Sequence, residues 1–352
     1  MACLDKRAVT ISETKVAEIP TLSIVFFVYN EPDWIVRTVS RAATLAAQSR
    51  WRDPEVVVID DGSTDNTGAV LDQLTCDVPL RVIHQPNQGR LLAMKAGIEA
   101  AHGDYVMILG ARVLLESGLD TRLDPVLEGR TVWNAVVYLP ERTSMLGTFW
   151  DALPRIFWSD YFSNPRELSY GTKDFQRYPK GTGGLLLPKT LMLESFTACS
   201  TRYSDSRHAN DDTSLIQWIA GQHDIWLSPD YRCLYEPRHK VSKFIPHAFH
   251  RGLHFVDGFL RRGNPFAPVI VAFYVLSGLS VLAALRNKAA IPLAYVGVTG
   301  AAVALGASRK LPRRHLAALG VVTPVFVTAY GAGLWAGLWL LLRSKCSKVP
   351  SS

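Results

Sequence analysis

Two short acidic patterns hold most of the chemistry in this sequence. Asp60-Asp61-Gly62-Ser63 ends a β-branched run at residues 56–59, and carboxylates at a strand end can accept hydrogen bonds from a base and a ribose. The same residues also suit a turn that caps the next helix. Asn210-Asp211-Asp212-Thr213 opens an apolar periodic stretch. Adjacent carboxylates raise the pKa of one of them, which suits taking a proton from a hydroxyl. As simple helix starters they would instead complement the helix dipole. Gly181-Thr182-Gly183-Gly184 precedes an apolar run, and glycines there let backbone approach a ligand closely. This loop matches neither a dinucleotide fingerprint nor a phosphate loop with its lysine.

The elements that must carry these residues follow from their surroundings. Residues 22–28 form an apolar run ending in Tyr29-Asn30-Glu31-Pro32, a strand running into a helix with proline near its start. Residues 56–59, 81–84 and 105–109 read as further strands, with helices over 65–74 and 89–101 between them. This alternation predicts an α/β domain with a mostly parallel sheet, in which ligands bind beyond the carboxyl ends of the strands. Asn30-Glu31, Asp60-Asp61 and Gly110-Ala111-Arg112 all follow strands, so they should border one crevice.

These segments, with Asn87-Gln88-Gly89-Arg90, Lys95-Ala96-Gly97 and Gly103-Asp104-Tyr105, resemble the family 2 glycosyltransferases of the GT-A fold. The resemblance runs over about residues 20–235, more loosely through residues 181–184 and 210–213. It implies a nucleotide diphosphate sugar as donor, bound by Tyr29, Asn30, Glu31, Asp60 and Asp61. Asp212 becomes the general base, Asp211 its neighbour at the acceptor or helix start, and Gly181, Thr182, Gly183 and Gly184 the loop under the acceptor. Arg90 and Lys95 add charge near the diphosphate or else form a solvated helix face.

One departure from the family pattern stands out. Where the family usually shows Asp-x-Asp holding Mg²⁺ or Mn²⁺, this chain has Gly110-Ala111-Arg112. An all-oxygen divalent site can hardly be built there, so no metal ligand is assigned and metal dependence stays open. Arg112 can supply positive charge itself, because a guanidinium pairs bidentately with phosphate and does not deprotonate. The alternatives are a metal held by a distant acid such as Asp212 or Glu116, or a chain that binds without catalysing.

Charge is divided unevenly. Residues 1–230 hold 22 Lys and Arg against 29 Asp and Glu, whereas residues 231–352 hold 16 against 2. A nucleic-acid binder would not partition charge this way, so an acidic soluble half joined to a basic membrane half is expected. Uncharged runs at 266–285, 289–308 and 316–342 reach spanning length. Pro324 with Gly331 and Gly333 leaves a broken helix or re-entrant hairpin open for the third. Flanking cations, seven against five, favour a cytoplasmic soluble domain, and no apolar leader precedes Pro20. Five cysteines without regular spacing exclude a disulfide scaffold.

Four regions result: a tail over 1–20, the α/β domain over 21–240, an amphipathic helix over 241–263 and a membrane region over 264–352. His250, Arg251, His254, Arg261 and Arg262 fall on the basic side of that helix, suited to a membrane surface or an anionic headgroup. His250 and His254 have metal-ligand spacing but no third ligand. The expected function is a membrane-anchored inverting glycosyltransferase acting on a lipid-linked or glycan acceptor, with membrane lipid and an oligomer as further partners. The alternatives are a polyprenyl-phosphate sugar synthase or a non-catalytic binder of nucleotide or a partner.

Overall fold

The computed structural model describes residues 18–199, 201–209 and 212–346. The first half alternates as expected: β1 (Thr21–Val28), α1 (Pro32–Ala47), β2 (Arg52–Asp60), α2 (Thr67–Asp72), β3 (Leu80–His84), α3 (Arg90–Ala100) and β4 (Tyr105–Gly110). Next come β5 (Val113–Ser117), α4 (Leu123–Leu127), β6 (Trp133–Asn134), β7 (Val136–Tyr138), α5 (Met145–Phe157), α6 (Ser159–Ser163) and β8 (Leu168–Tyr170). β9 (Leu185–Pro188), α7 (Lys189–Ala198), α8 (Thr213–Gln222), β10 (Ile225–Leu227) and β11 (Arg232–Tyr235) complete the α/β part. Four helices close the chain: α9 (Val241–Phe259), α10 (Ala267–Arg286), α11 (Ala290–Ser308) and α12 (Arg313–Cys346).

Among the described residues the main sheet has eight strands in the order β3-β2-β1-β4-β9-β6-β10-β8. β3, β2, β1 and β4 pair in parallel, as do β6 and β10; β9 and β8 pair antiparallel to their neighbours. This is a mixed α/β fold with a mostly parallel sheet. The alternation of side chains along β1 builds a core on each face. Ile24, Phe26 and Val28 pack with Ile35 and Val39 of α1, while Val25 and Phe27 pack with Met94 and Ile98 of α3. A second sheet, β5-β11-β7, carries the segment that follows Arg112.

α10, α11 and α12 are each long and apolar enough to cross a membrane, with mean hydropathies of 2.2, 1.7 and 1.7. The third is one unbroken helix through Pro324, neither broken nor re-entrant. Its glycines serve close packing. A Cβ on Gly333 would lie 2.0 Å from the carbonyl oxygen of Phe249, and one on Gly252 of α9 would lie 2.1 Å from that of Tyr330. Only glycine lets these two backbones approach so closely. Phe149 of α5, Phe244 and Ala248 of α9, and Leu319 and Val322 of α12 bury a further core between the α/β part and the last helix.

Gly333→Ala is therefore expected to destabilise the protein by at least about 1–3 kcal/mol, the usual cost of overpacking. Gly278→Ala, with nothing within 4 Å of the added carbon, should be neutral or slightly stabilising through helix propensity. Thermal unfolding in detergent compares the two; equal midpoints would refute the tight crossing.

Candidate active site

The site forms at the carboxyl ends of β1, β2 and β4, where three loops meet. Asn30 takes φ 54°, a left-handed conformation that asparagine tolerates. Its side chain exchanges hydrogen bonds with Thr64: the Thr64 amide donates to Oδ1 at 2.8 Å and Nδ2 donates to Oγ1 at 3.2 Å. The amides of Asn30 and Glu31 donate to the hydroxyls of Ser63 and Thr67. The first two loops are thereby joined, with Tyr29 exposed beside them.

Asp60 and Asp61 are both buried. The Ser63 amide donates to Asp60 Oδ1 at 3.0 Å, and His84 Nδ1 lies 2.9 Å from Oδ2. Asp61 accepts from Gln85 Nε2 at 2.7 Å and from the amides of Gln88 and Gly89 at 2.9 Å. Hydrogen bonds to Asp60 and then Asp72 raise the pKa of His84. Asp60 therefore ties the turn after β2 to the end of β3, and Asp61 braces the loop that starts α3. Gly89 at φ 87° is needed there, since a Cβ would sit 2.5 Å from the Cα of Arg207. The loop that starts α3 thus packs against the segment leading to Asp212.

Glu31 holds two arginines. Arg112 Nη1 donates to its Oε2 at 2.7 Å and Arg238 Nη2 to its Oε1 at 2.9 Å. Arg112 also donates from Nε to the carbonyl of Glu236 at 2.9 Å and from Nη2 to that of Pro237 at 3.0 Å. Its guanidinium lies 5.3 Å from the Trp34 ring centroid. Arg112 therefore braces the first loop against residues 236–238, and two guanidiniums on one carboxylate leave the group positively charged. Arg238 carries no sequence signal beyond lying in a loop after a strand.

The described residues do not fit a divalent cation at the strand end. Both oxygens of Glu31 are on arginines, those of Asp60 and Asp61 bind the loops, and Gly110-Ala111 offers no side-chain oxygen. Among the described residues no group of three or more His, Cys, Asp or Glu could hold a metal ion.

Across the crevice, Arg90 Nη2 is 3.4 Å from Thr182 Oγ1, and its guanidinium lies 5.0 Å from the Phe27 ring centroid. Arg90 thus meets the 181–184 loop, whereas Lys95 pairs with Glu99 one turn along α3. Asn134 clamps Gly181, donating to its carbonyl at 2.7 Å and accepting from its amide at 3.2 Å. Gly183 packs against Val113, and Gly184 at φ 84° would place a Cβ 2.4 Å from that of Ala135. Lys180 is half-buried between Trp158 and Phe175, its ammonium held by the carbonyls of Phe175 and Tyr178. Burial pulls it down to about 8, against the field of Asp212.

Asp212 precedes α8 and accepts from Thr213 Oγ1 at 2.9 Å; Asp211 lies outside the described residues. The segment before it is anchored to the last helices. Buried Asp257 of α9 accepts from Thr201 Oγ1 and the Arg202 amide at 2.9 Å. Tyr203 donates its hydroxyl to the carbonyl of Leu253 at 2.8 Å, and the Ser204 amide donates to Ser344 Oγ of α12 at 2.9 Å. α9 and α12 therefore help position the acid.

The basic side of α9 divides between two environments. The His254 pKa is pushed down to about 4, chiefly by burial, then by Arg90, His250 and Arg251, with Asp212 opposing. His247 is driven well below the ordinary range by burial and by Arg251, Arg238, Arg90 and Arg112. Burial and the neighbouring arginines thus disfavour the charged form of both rings. Arg251 lies 5.4 Å from the Trp150 ring centroid, Arg261 donates to the Asp257 carbonyl at 2.8 Å, and His250 and Arg262 are exposed. His247 shares the basic side of α9 with His254, and Lys180 flanks the glycine loop, so both are legible from spacing; Arg238 is not, because only the fold brings it to Glu31.

Residues 23–114 match the sequence model of Glycosyl transferase family 2. Glycosyltransferase GlyG of Streptococcus pneumoniae is 31% identical over 110 residues, 30% of this chain and 35% of GlyG. Poly-beta-1,6-N-acetyl-D-glucosamine synthase of Staphylococcus aureus is 30% identical over 105 residues, 30% of this chain and 24% of the synthase. The chain thus spans about a third or less of the length of these relatives. Among solved structures, the mannosyltransferase PcManGT of Pyrobaculum calidifontis, in complex with GDP-Man and Mn²⁺, is 17% identical. That comparison covers 95% of this chain and 89% of the other, with a TM-score of 0.48.

Proposed function

We propose, from the premise that residues 23–114 carry a glycosyl transferase family 2 domain, that this chain is a membrane-anchored inverting glycosyltransferase. It would move a sugar from a nucleotide diphosphate sugar to a glycan or lipid-linked hydroxyl. The observation that carries the reading is the meeting of the family-matched strand-end loops with Arg90, Thr182 and the Asp212 segment around one crevice. Tyr29, Asn30, Glu31, Asp60 and Asp61 border the nucleoside, and Arg90 and the Arg112–Arg238 pair face the diphosphate. The acceptor lies over residues 181–184.

The step is an in-line displacement. The acceptor oxygen attacks the anomeric carbon, and the carbon–oxygen bond to the diphosphate breaks with its electron pair leaving on the diphosphate. Asp212 takes the acceptor proton. Arginines replace the charge that a metal would bring at the leaving group, and no step is routed through a metal. α10, α11 and α12 serve as the membrane anchor, with the α/β domain on the cytoplasmic side as the flanking cations favour.

A second reading is direct transfer to a polyprenyl phosphate. The cations around Asp212 and His254 favour it, because an anionic nucleophile needs charge rather than a base. The test of the donor site is calorimetric titration of nucleoside diphosphates into the full chain, with Mn²⁺ and then with EDTA. Binding of one nucleotide should survive EDTA. Binding only with Mn²⁺ would refute the arginine site, and no binding in either condition would favour a non-catalytic protein.

A further inference from the structure

The crevice has a wall that the family-matched loops do not supply. Pro237, whose carbonyl takes Arg112, packs against the start of α5: a Cβ on Gly147 would lie 2.9 Å from Pro237 Cγ. One turn further along α5 stands Trp150, and two groups of α9 lie against its ring. The Arg251 guanidinium lies 5.4 Å from the ring centroid, and the His247 ring meets it edge-on at 5.3 Å. Four residues apart on one helix, Arg251 and His247 share a face. Phe244 and Phe326, at 5.7 and 5.6 Å, hold the indole in place.

Arg251 differs from the other crevice arginines in what it holds. Arg112 commits Nε, Nη1 and Nη2 to Glu236, Glu31 and Pro237, and Arg238 is committed to Glu31 and the Tyr235 hydroxyl. Arg90 reaches Thr182. Arg251 is exposed, and among the described residues no hydrogen bond or ion pair engages it. Its charge still belongs to the same cluster. After burial, Arg251, Arg238, Arg90 and Arg112 hold the His247 pKa down, in that order. Arg90 and Arg251 also lower His254 after burial, with Asp212 opposing. Arg251 thus shares surroundings with both the arginine pair on Glu31 and the acid before α8. Glu31 is divided between two of the four arginines, so the cluster keeps a positive excess.

We propose that Arg251, seated on Trp150, binds the sugar-bearing phosphate of the donor. The nucleoside lies at the strand-end loops, so the arginine pair on Glu31 meets the nearer phosphate. Arg251, on the side of Asp212, meets the farther one. A stacked guanidinium with uncommitted N–H groups pairs bidentately with phosphate. His247 makes no hydrogen bond among the described residues, so its ring N–H can donate to the same group. Negative charge grows on this phosphate as the bond to the sugar breaks, and Arg251 stabilises it there. This role rests on the donor site proposed above. It makes α9, which lies outside residues 23–114, a part of that site.

The experiment is calorimetry on the full chain in neutral detergent with EDTA. ADP, CDP, GDP, UDP and dTDP are titrated first, then the monophosphate of whichever binds. Arg251→Gln should weaken the diphosphate about ten-fold and leave the monophosphate within about two-fold of wild type. Its thermal unfolding should stay at the wild-type midpoint, since no hydrogen bond or ion pair of the fold is lost. Arg251→Lys keeps the charge and should lose less diphosphate affinity than Arg251→Gln. An unchanged diphosphate affinity in Arg251→Gln would overturn the role. So would equal losses for mono- and diphosphate, or equal losses in the two variants. Failure of every nucleotide to bind the wild-type chain would instead overturn the donor site itself.

Discussion

Asp212→Asn is expected to lower turnover on a hydroxyl acceptor by about 10²–10⁴-fold, the range for loss of a positioned general base. Binding of the nucleoside diphosphate should stay within a factor of two or so. Asparagine keeps the shape of the residue before α8 and can still meet the Thr213 hydroxyl, so the fold is retained. The measurement is kcat on a panel of acceptors beside calorimetric nucleotide affinity. Normal turnover with a polyprenyl phosphate and none with sugars would move the assignment to the anionic acceptor. Normal turnover with hydroxyl acceptors would remove Asp212 as the base.

Arg112→Ala carries the second large effect. It removes one of the two cations on Glu31 and leaves the carbonyls of Glu236 and Pro237 without this donor. The Arg112 and Glu31 side chains are only 13% and 18% exposed, so the change should cost on the order of 2–4 kcal/mol of stability. If Arg112 also faces the diphosphate, nucleoside diphosphate affinity falls about 10–100-fold while the nucleoside alone binds as before. Equal losses for both ligands would make Arg112 a brace only. Arg112→Lys sharpens the comparison, because it keeps the charge but cannot span Glu31 and two carbonyls with one planar fork.

Much of the fold was legible because its signals are local. Alternating β-branched runs and helical spacing marked the first four strands and the helices between them, and the three uncharged runs marked the last helices. What failed to carry over was local too. Pro324, Gly331 and Gly333 left a break open beside a continuous helix when met in sequence. In the fold, Gly333 lies against the backbone of Phe249, a contact between positions 84 residues apart. Proline and glycine weaken an isolated helix, but packing against a neighbour outweighs that preference.

The sequence alone determined that the carboxylates of Asp60 and Asp61 end a strand, that Arg112 follows another, and that residues 266–342 hold three long apolar runs. Only the tertiary structure decided what those groups touch. It joined Arg112 to Glu31 and residues 236–237, drew Arg238 to the same carboxylate, and brought His254 into the field of Asp212. It also tied the segment before Asp212 to α9 and α12. Strand and helix periodicity depend on neighbours a few residues apart, whereas a charge's role depends on which distant side chains share its low-dielectric surroundings.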